Sequence, residues 1–233
     1  MNTKGILIDY GGTLDSNGVH WAHIIREAYR EAQVAVTETH FREAYVYAER
    51  YLASNPAIQP HFTFKELMET KIAVELDYLQ KNGAIAKCSQ TTILNIAHIC
   101  YEKAKETTGQ SAKTLQKLSE KYELSLVSNF YGNIDAVLSD FGLKRYFPKI
   151  IESSVVGIRK PDPQIFQLGI EALNLKAEET IAIGDSYTKD IVPAKHCGCR
   201  TIWIKGKGWK AETENHAADF TFCQFKDIES ILL

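Results

Sequence analysis

The sequence predicts an α/β fold in which a mostly parallel sheet is covered by helices and a helical segment is inserted after the first strand. From residue 111 onward, short apolar runs alternate with amphipathic helical patterns, which is typical of a parallel sheet with helices on both faces. Before that point a single strand-like run, residues 4–9, is followed by a helical pattern over about residues 17–108. Because one strand cannot form a sheet alone, we expect it to pair with the later strands, across the helical insertion.

The individual elements follow from local patterns. In the helical stretch apolar residues recur near the 3.6-residue period, and Thr63 followed by Glu66 predicts a capping box at the start of one helix. A loop that contains two prolines, residues 54–60, interrupts this stretch. Later strands are predicted at residues 124–128, 150–152, 180–185, 201–204 and 219–222.

The length of the chain allows two parts. With 233 residues, of which 45% are apolar, the chain can form a large core and a smaller additional unit. We therefore predict a discontinuous Rossmann-like core, residues 1–15 and 109–233, and a helical cap domain, residues 16–108.

Composition and charge argue against several classes of partner. A net charge of −2 gives no basic surface for nucleic acid, and the basic segment of residues 205–210 is interpreted as a solvated loop. No apolar run approaches the ~20 residues that span a bilayer, so no membrane partner is expected. The chain passes directly from residues 1–4 into a strand-like run, and its five cysteines are scattered, which together predict a cytoplasmic protein with free thiols.

Polar residues follow several predicted strands at the point where each strand ends. The carboxyl ends of parallel strands meet at one edge of the sheet, so these residues are expected to converge there. Clustered carboxylates repel one another unless a cation lies among them, and oxygen ligands favour Mg²⁺. A carboxylate nucleophile beside Mg²⁺ and a lysine suits phosphoryl transfer. The residues concerned are Asp9, Ser128, Asn129, Lys160, Asp185 and Asp190.

These motifs, in this order and with a helical insertion directly after the first, resemble those of the haloacid dehalogenase superfamily of hydrolases. The resemblance spans the whole chain and implies a Rossmann-like core, a cap that selects the substrate and a Mg²⁺ cofactor. It also implies a role for each motif residue. Asp9 would be the nucleophile and a Mg²⁺ ligand, Thr13 would support the following turn, and Ser128 and the Asn129 backbone would donate hydrogen bonds to the phosphoryl group. Lys160 would neutralise the charge of Asp9 and phosphate, Asp185 would be a metal ligand, and Asp190 would hold Lys160 or a metal-bound water.

One position departs from that family. Its phosphatases usually carry a second aspartate two residues after the nucleophile, where this chain has Gly11. Gly11 keeps the backbone carbonyl as a Mg²⁺ ligand but lacks the carboxylate that protonates the leaving group and activates water, help that is typically worth ~10²–10⁴ in rate. Asp15, four residues further on, is expected to point away from the site. We therefore expect the metal site to remain and turnover to be reduced.

The predicted function is Mg²⁺-dependent hydrolysis of a small phosphorylated metabolite through a phosphoaspartate on Asp9. Two alternatives stay open. One is a phosphonatase-like hydrolase, a branch with a small residue two positions after the nucleophile and a cap lysine that activates an aldehyde. Lys65 and Lys71 are available in the cap, as are other lysines, and nothing in their spacing singles one out. The other is a non-catalytic protein that binds phosphate and metal for regulation. A dehalogenase-like enzyme ranks lowest, since that branch has an aromatic residue at the glycine position. In the cap, His20 and Trp21 are the best candidates for substrate contact.

Overall fold

The sheet lies at the centre of the fold, and a computed structural model that describes residues 2–209 and 218–233 gives it six strands, all parallel. Their order across the sheet is β3-β2-β1-β4-β5-β6. The strands are β1 (Gly5–Ile8), β2 (Glu123–Ser128), β3 (Lys149–Glu152), β4 (Thr180–Gly184), β5 (Arg200–Ile204) and β6 (Phe220–Phe222). Because β1 lies between β2 and β4, the first strand pairs with strands that follow the helical stretch, as predicted.

Four long helices follow β1, and shorter helices alternate with the later strands. In the described chain the helices are α1 (Trp21–Glu31), α2 (Glu38–Ser54), α3 (Phe64–Lys81), α4 (Gln90–Ser119), α5 (Ile134–Asp140), α6 (Ser153–Val156), α7 (Gln164–Ala172), α8 (Val192–His196) and α9 (Glu229–Leu232). The predicted α/β fold is confirmed by this alternation. Within residues 2–209 and 218–233 we find no helix with the length and apolar character that a bilayer span requires.

Side chains at the helix starts explain where several helices begin. The Thr63 backbone N–H donates to Glu66 at 2.7 Å, which gives α3 the predicted capping box. His20 caps α1, because its Nδ1 accepts a hydrogen bond from the Ala22 N–H at 3.2 Å. These bonds satisfy backbone donors that have no partner within the helix.

Helix α4 runs without a break from the long-helix region to the sheet. Its first half packs against α1 and α3, and in its second half Ser111 donates to the Leu14 carbonyl at 2.8 Å and Thr114 to the Glu229 carboxylate at 2.7 Å. The boundary predicted between residues 108 and 109 therefore falls inside one helix. The change of pattern near residue 111 marks a change of neighbours and not the end of an element. The division into core and cap stays a prediction.

The hydrophobic core covers both faces of the sheet. Successive side chains of β1 point to opposite faces. Ile6 and Ile8 belong to a large buried cluster that also contains Tyr29 of α1 and Leu76 of α3, whereas Leu7 packs in a smaller cluster with residues of β2 and α7. The long helices therefore share one apolar core with the sheet.

Candidate active site

The strand ends bring the acidic and hydroxyl side chains to one edge of the sheet. Asp9 follows β1 directly, Ser128 ends β2, and Asp185 follows β4. In the parallel ladder Ile8 is the register partner of residues in both β2 and β4, so the three strands end side by side. The Asp9 backbone N–H continues this ladder by donating to the Ile183 carbonyl at 2.9 Å.

Lys160 lies at the centre of this group. Its Nζ is 2.6 Å from Asp9 Oδ1 and 2.6 Å from Asp190 Oδ1, and the side chain is almost completely buried. Ser128 donates to Asp9 Oδ1 at 3.1 Å, and Thr13 donates to Asp9 Oδ2 at 3.3 Å. Burial raises the pKa of Asp9 to about 6, against the opposing effect of the Lys160 ammonium. Burial lowers the pKa of Lys160, but the two carboxylates outweigh it, so Lys160 stays protonated.

The loop that carries Lys160 is attached to the end of β2. The Asn129 side chain accepts a hydrogen bond from the Lys160 backbone N–H at 2.9 Å and donates to the Lys160 carbonyl at 3.1 Å. These two bonds fix the loop from both sides of the lysine. Asn129 therefore has a positioning role through its side chain, in addition to the backbone role that the sequence suggested.

Three carboxylates form a cluster that fits a divalent cation. One oxygen from each of Asp9, Asp185 and Asp190 lies within 4.8 Å of the others. The pKa of Asp185 is raised well above its ordinary value, first by burial and then by repulsion from the neighbouring carboxylates. A bound cation would remove that repulsion, and an all-oxygen ligand set fits Mg²⁺. Gly12 makes room for this arrangement, because at its φ of +95° a Cβ would overlap the Asp185 carboxylate.

Asp15 closes the turn that follows β1. One of its oxygens accepts from the Gly12 backbone N–H at 2.7 Å, and the other accepts from Trp21 Nε1 at 2.9 Å. Burial raises the pKa of Asp15 to about 7. The expectation that Asp15 points away from the site was wrong, since it borders the cavity next to Gly11 and Gly12. Both of its oxygens are nevertheless engaged in holding the turn.

A cavity of about 620 Å³ lies between this edge of the sheet and the helices α1–α3. His20 and Trp21 line it, and their contact with a substrate stays a prediction. Its wall also contains residues that the sequence did not single out as a group, namely Glu49, Lys71, Tyr131 and Trp209.

Two of these wall residues could have been identified from the sequence pattern. Lys71 lies on the buried stripe of α3, where a charged residue is unusual. Tyr131 comes three residues after Ser128, in the loop at the same sheet edge.

Trp209 belongs to the segment interpreted as a solvated loop, yet its ring lies 5.1 Å from that of His20 and 5.2 Å from that of Tyr45. The last residue of that segment, Lys210, lies outside the described residues.

Comparison with known proteins identifies the family. A family model described as haloacid dehalogenase-like hydrolase matches residues 3–198. The glyceraldehyde 3-phosphate phosphatase of Methanocaldococcus jannaschii is 36% identical over 92 residues, which are 39% of this chain and 40% of that relative. The chain thus spans about two fifths of the length of this curated relative.

Solved structures share the fold over the full chain. The HAD-hydrolase YfnB from Bacillus subtilis, solved with magnesium, has a TM-score of 0.63 at 18% identity and covers 99% of this chain and 98% of its own. A HAD phosphatase from Thermococcus onnurineus has a TM-score of 0.55 at 19% identity, with 99% and 98% covered. The family model covers most of the sequence, and this chain therefore belongs to the haloacid dehalogenase-like hydrolases.

Proposed function

We propose that this protein is a Mg²⁺-dependent phosphatase that hydrolyses a small phosphorylated metabolite, with Asp9 as the nucleophile. The observation that carries the proposal is the pair of contacts from Lys160 Nζ, 2.6 Å to Asp9 and 2.6 Å to Asp190, at the floor of a cavity. A buried ammonium beside a buried carboxylate keeps that carboxylate ionised and able to attack. The phosphatase name of the relative from Methanocaldococcus jannaschii supports the same reaction class.

In the proposed reaction an Asp9 carboxylate oxygen forms a bond to phosphorus while the bond from phosphorus to the leaving oxygen breaks. With substrate bound, the Ser128 hydroxyl would turn from Asp9 Oδ1, to which it donates in the structure, and donate to a phosphoryl oxygen, as would the Asn129 backbone N–H. Lys160 would offset the negative charge that Asp9 and phosphate bring together. Water then hydrolyses the phosphoaspartate, which releases phosphate and restores the Asp9 carboxylate.

The acidic cluster would hold the cofactor of this reaction. Asp9, Asp185 and the Gly11 carbonyl would hold Mg²⁺, with Asp190 beside them, and the ion when bound supplies positive charge for the phosphoryl oxygens. Asp190 also holds Lys160, and its second oxygen accepts from the Ser186 backbone N–H at 2.9 Å. These contacts give Asp190 a fixed orientation toward the nucleophile.

The absence of an acidic side chain at position 11 determines the turnover rate that we expect. Position 11 offers no carboxylate, and both oxygens of Asp15 already accept hydrogen bonds in the turn. The proton for the leaving oxygen then comes from water or from the substrate itself. We therefore expect slow turnover of esters with poor leaving groups.

The environment of the cap lysines does not favour the phosphonatase-like alternative. That chemistry needs a neutral amine to attack an aldehyde. Lys65 is exposed, and Lys71 is buried in an ion pair with Glu49. Burial lowers the pKa of Lys71, but the Glu49 carboxylate outweighs it and raises the pKa well above the ordinary value. Lys71 is therefore an ammonium and not a nucleophile.

The test is phosphate release from a panel of small phosphate monoesters in magnesium buffer. We expect the native chain to release phosphate and Asp9→Asn to fall to the background rate, because an amide cannot form the phosphoenzyme. Asp77→Asn, at an exposed position of α3, serves as the matched control and should keep the native rate. Release that persists in Asp9→Asn would contradict the proposed nucleophile. No release by the native chain would favour the non-catalytic binding role.

A further inference from the structure

The proposed reaction leaves one buried charge of the cavity wall without a role. Lys71 of α3 is 3% exposed and lines the cavity, where its Nζ pairs with the Glu49 carboxylate of α2. The same nitrogen lies 4.4 Å from the centroid of the Tyr45 ring. A buried ammonium is costly to maintain, so its position at a cavity wall calls for a physical reason.

Glu49 acts as a fixed partner of this lysine. One of its oxygens pairs with Lys71, and the other accepts from the Tyr131 hydroxyl at 2.9 Å. Burial raises the pKa of Glu49, but Lys71 and these hydrogen bonds outweigh it and bring the pKa to about 2. The carboxylate is therefore ionised, and both of its oxygens already have donors.

Lys71, in contrast, has unused donors. An ammonium carries three N–H groups, and within residues 2–209 and 218–233 only Glu49 accepts a hydrogen bond from it. Lys71 lines the cavity with its nitrogen beside the Tyr45 ring, so we expect the remaining N–H groups to be available there. They are suited to an oxygen acceptor on a molecule that enters the cavity.

The other charges around this wall favour an anionic acceptor. Arg159 and Lys189 also line the cavity and are exposed. Burial lowers the pKa of His20 to about 4, so this ring is neutral, and the bond from Ala22 to its Nδ1 places the ring proton on Nε2. Carboxylates line the cavity as well: Glu49, whose oxygens are occupied, Asp15 in the turn, and the three of the proposed metal site, which Lys160 and the cation would offset.

We propose that Lys71, oriented by Glu49, binds a carboxylate on the leaving group, so that the substrates are small phosphate monoesters that carry a carboxylate. This inference rests on the proposed phosphatase function. A carboxylate matches the site because its two oxygens can accept charge-assisted hydrogen bonds from the N–H groups of Lys71 that Glu49 does not use, and Arg159 and Lys189 add positive charge at the cavity. A cavity of about 620 Å³ accommodates a ligand of this size together with its phosphate.

The experiment compares two ligands that differ in one group. In the Asp9→Asn background, in magnesium buffer, calorimetry gives the dissociation constants of 3-phosphoglycerate and of glycerol 3-phosphate, which has a hydroxymethyl group in place of the carboxylate. We expect 3-phosphoglycerate to bind about tenfold to a hundredfold more tightly, the range that a charged hydrogen bond typically contributes. Lys71→Met should remove this preference. Lys65→Met, at an exposed position of the same helix, should keep it.

A second variant tests the role of Glu49 without removing the lysine. Glu49→Gln removes the charge that orients Lys71 and keeps it protonated against the effect of burial, so the preference for 3-phosphoglycerate should fall. Equal binding of the two ligands, or an undiminished preference in Lys71→Met or in Glu49→Gln, would overturn the proposal. Because these measurements need no turnover, a clear binding preference, together with a native chain that releases phosphate from none of the esters in the panel, would support the subsite and refute the phosphatase function.

Discussion

Gly11 is the residue at which this chain departs from the phosphatases it resembles, and the structure leaves room there for a side chain. Apart from Gly11 itself and its two chain neighbours, no heavy atom of the described residues lies within 4 Å of a Cβ built on Gly11, and its φ is outside the left-handed region. Gly12, the next residue, has a φ of +95° and would place a Cβ on the Asp185 carboxylate. The turn therefore requires glycine at position 12 but not at position 11.

We predict that Gly11→Asp increases the turnover of phosphate monoesters. A carboxyl group at this position borders the cavity and, when protonated, can donate its proton to the leaving oxygen, help that is typically worth about 10²–10⁴ in rate. The measurement is kcat for a poor leaving group such as an alkyl phosphate, where protonation matters most.

The matched control for this substitution is Gly11→Asn, which has nearly the same shape and cannot transfer the proton. It should leave kcat near the native value. An equal gain in both variants would show that shape, not acid–base chemistry, limits the native chain. No gain in a folded Gly11→Asp would show that the rest of the site is not arranged for phosphate hydrolysis.

At the scale of elements, the strand ends explain how much of the site the sequence could predict. Asp9, Ser128 and Asp185 follow apolar strand patterns, and parallel strands end at one edge, so their convergence follows from topology alone. Lys160 is different, because it lies on a loop whose position depends on the Asn129 side chain. The sequence analysis grouped it with the strand ends, but β3 ends earlier, at Glu152, so the position of its side chain does not follow from the strand pattern alone.

The cavity wall was harder to predict because it depends on how helices pack. Glu49 of α2 and Tyr131 after β2 meet only in the folded chain, across 82 residues of sequence. A usable signal existed in α3, where Lys71 and Glu75 lie on the buried stripe that contains Leu67, Met68 and Ile72. Lys65 lies off that stripe, so helical periodicity could have separated the two cap lysines.

Glu75 makes the stability of the α3 region depend on pH. It is fully buried, and burial raises its pKa from 4.5 to about 7, against opposing effects from Lys71 and the Tyr29 hydrogen bond and with a small further increase from Glu49. The unfolded chain releases this proton near pH 4.5 and the folded chain only near pH 7, so stability is greatest below pH 4.5 and falls between these values. The shift corresponds to about 3 kcal/mol.

We predict that Glu75→Gln is more stable than the native chain at pH 8 by about 3 kcal/mol and nearly equal to it at pH 4.5. The amide keeps an acceptor for the Tyr29 hydroxyl and cannot ionise. Urea unfolding at the two pH values measures the difference. Glu69→Gln, at a half-buried position of the same helix, is the control and should leave the pH dependence unchanged. A native-like pH dependence in Glu75→Gln would contradict the assignment.

At the scale of the whole molecule, the acidic cluster lies where the sheet and the long helices share one hydrophobic core. The shared hydrophobic core contains Ile6 and Ile8 of the sheet and Leu76 of α3. We therefore expect a change in stability at the sheet edge to affect the complete fold rather than one part of it. Asp185 is the residue where this connection is most direct, because its carboxylate is repelled by its neighbours in the absence of a cation.

We predict that Asp185→Asn raises the melting temperature in the absence of divalent metal and removes most of the stabilisation by Mg²⁺. The amide removes a repelled carboxylate, and with it a ligand of the proposed metal site. In the native chain, Mg²⁺ at about 100 times its dissociation constant should add about 2.7 kcal/mol, or roughly 5–10 °C. Thermal unfolding with Mg²⁺ and with a chelator measures both effects, with Asp77→Asn as the control.

If Asp185→Asn melted lower than the native chain without metal, repulsion would not dominate this site, and an unchanged response to Mg²⁺ would place the ion elsewhere. The two melting-temperature changes together show whether the acidic cluster lowers the stability of the metal-free fold and at the same time provides the metal site.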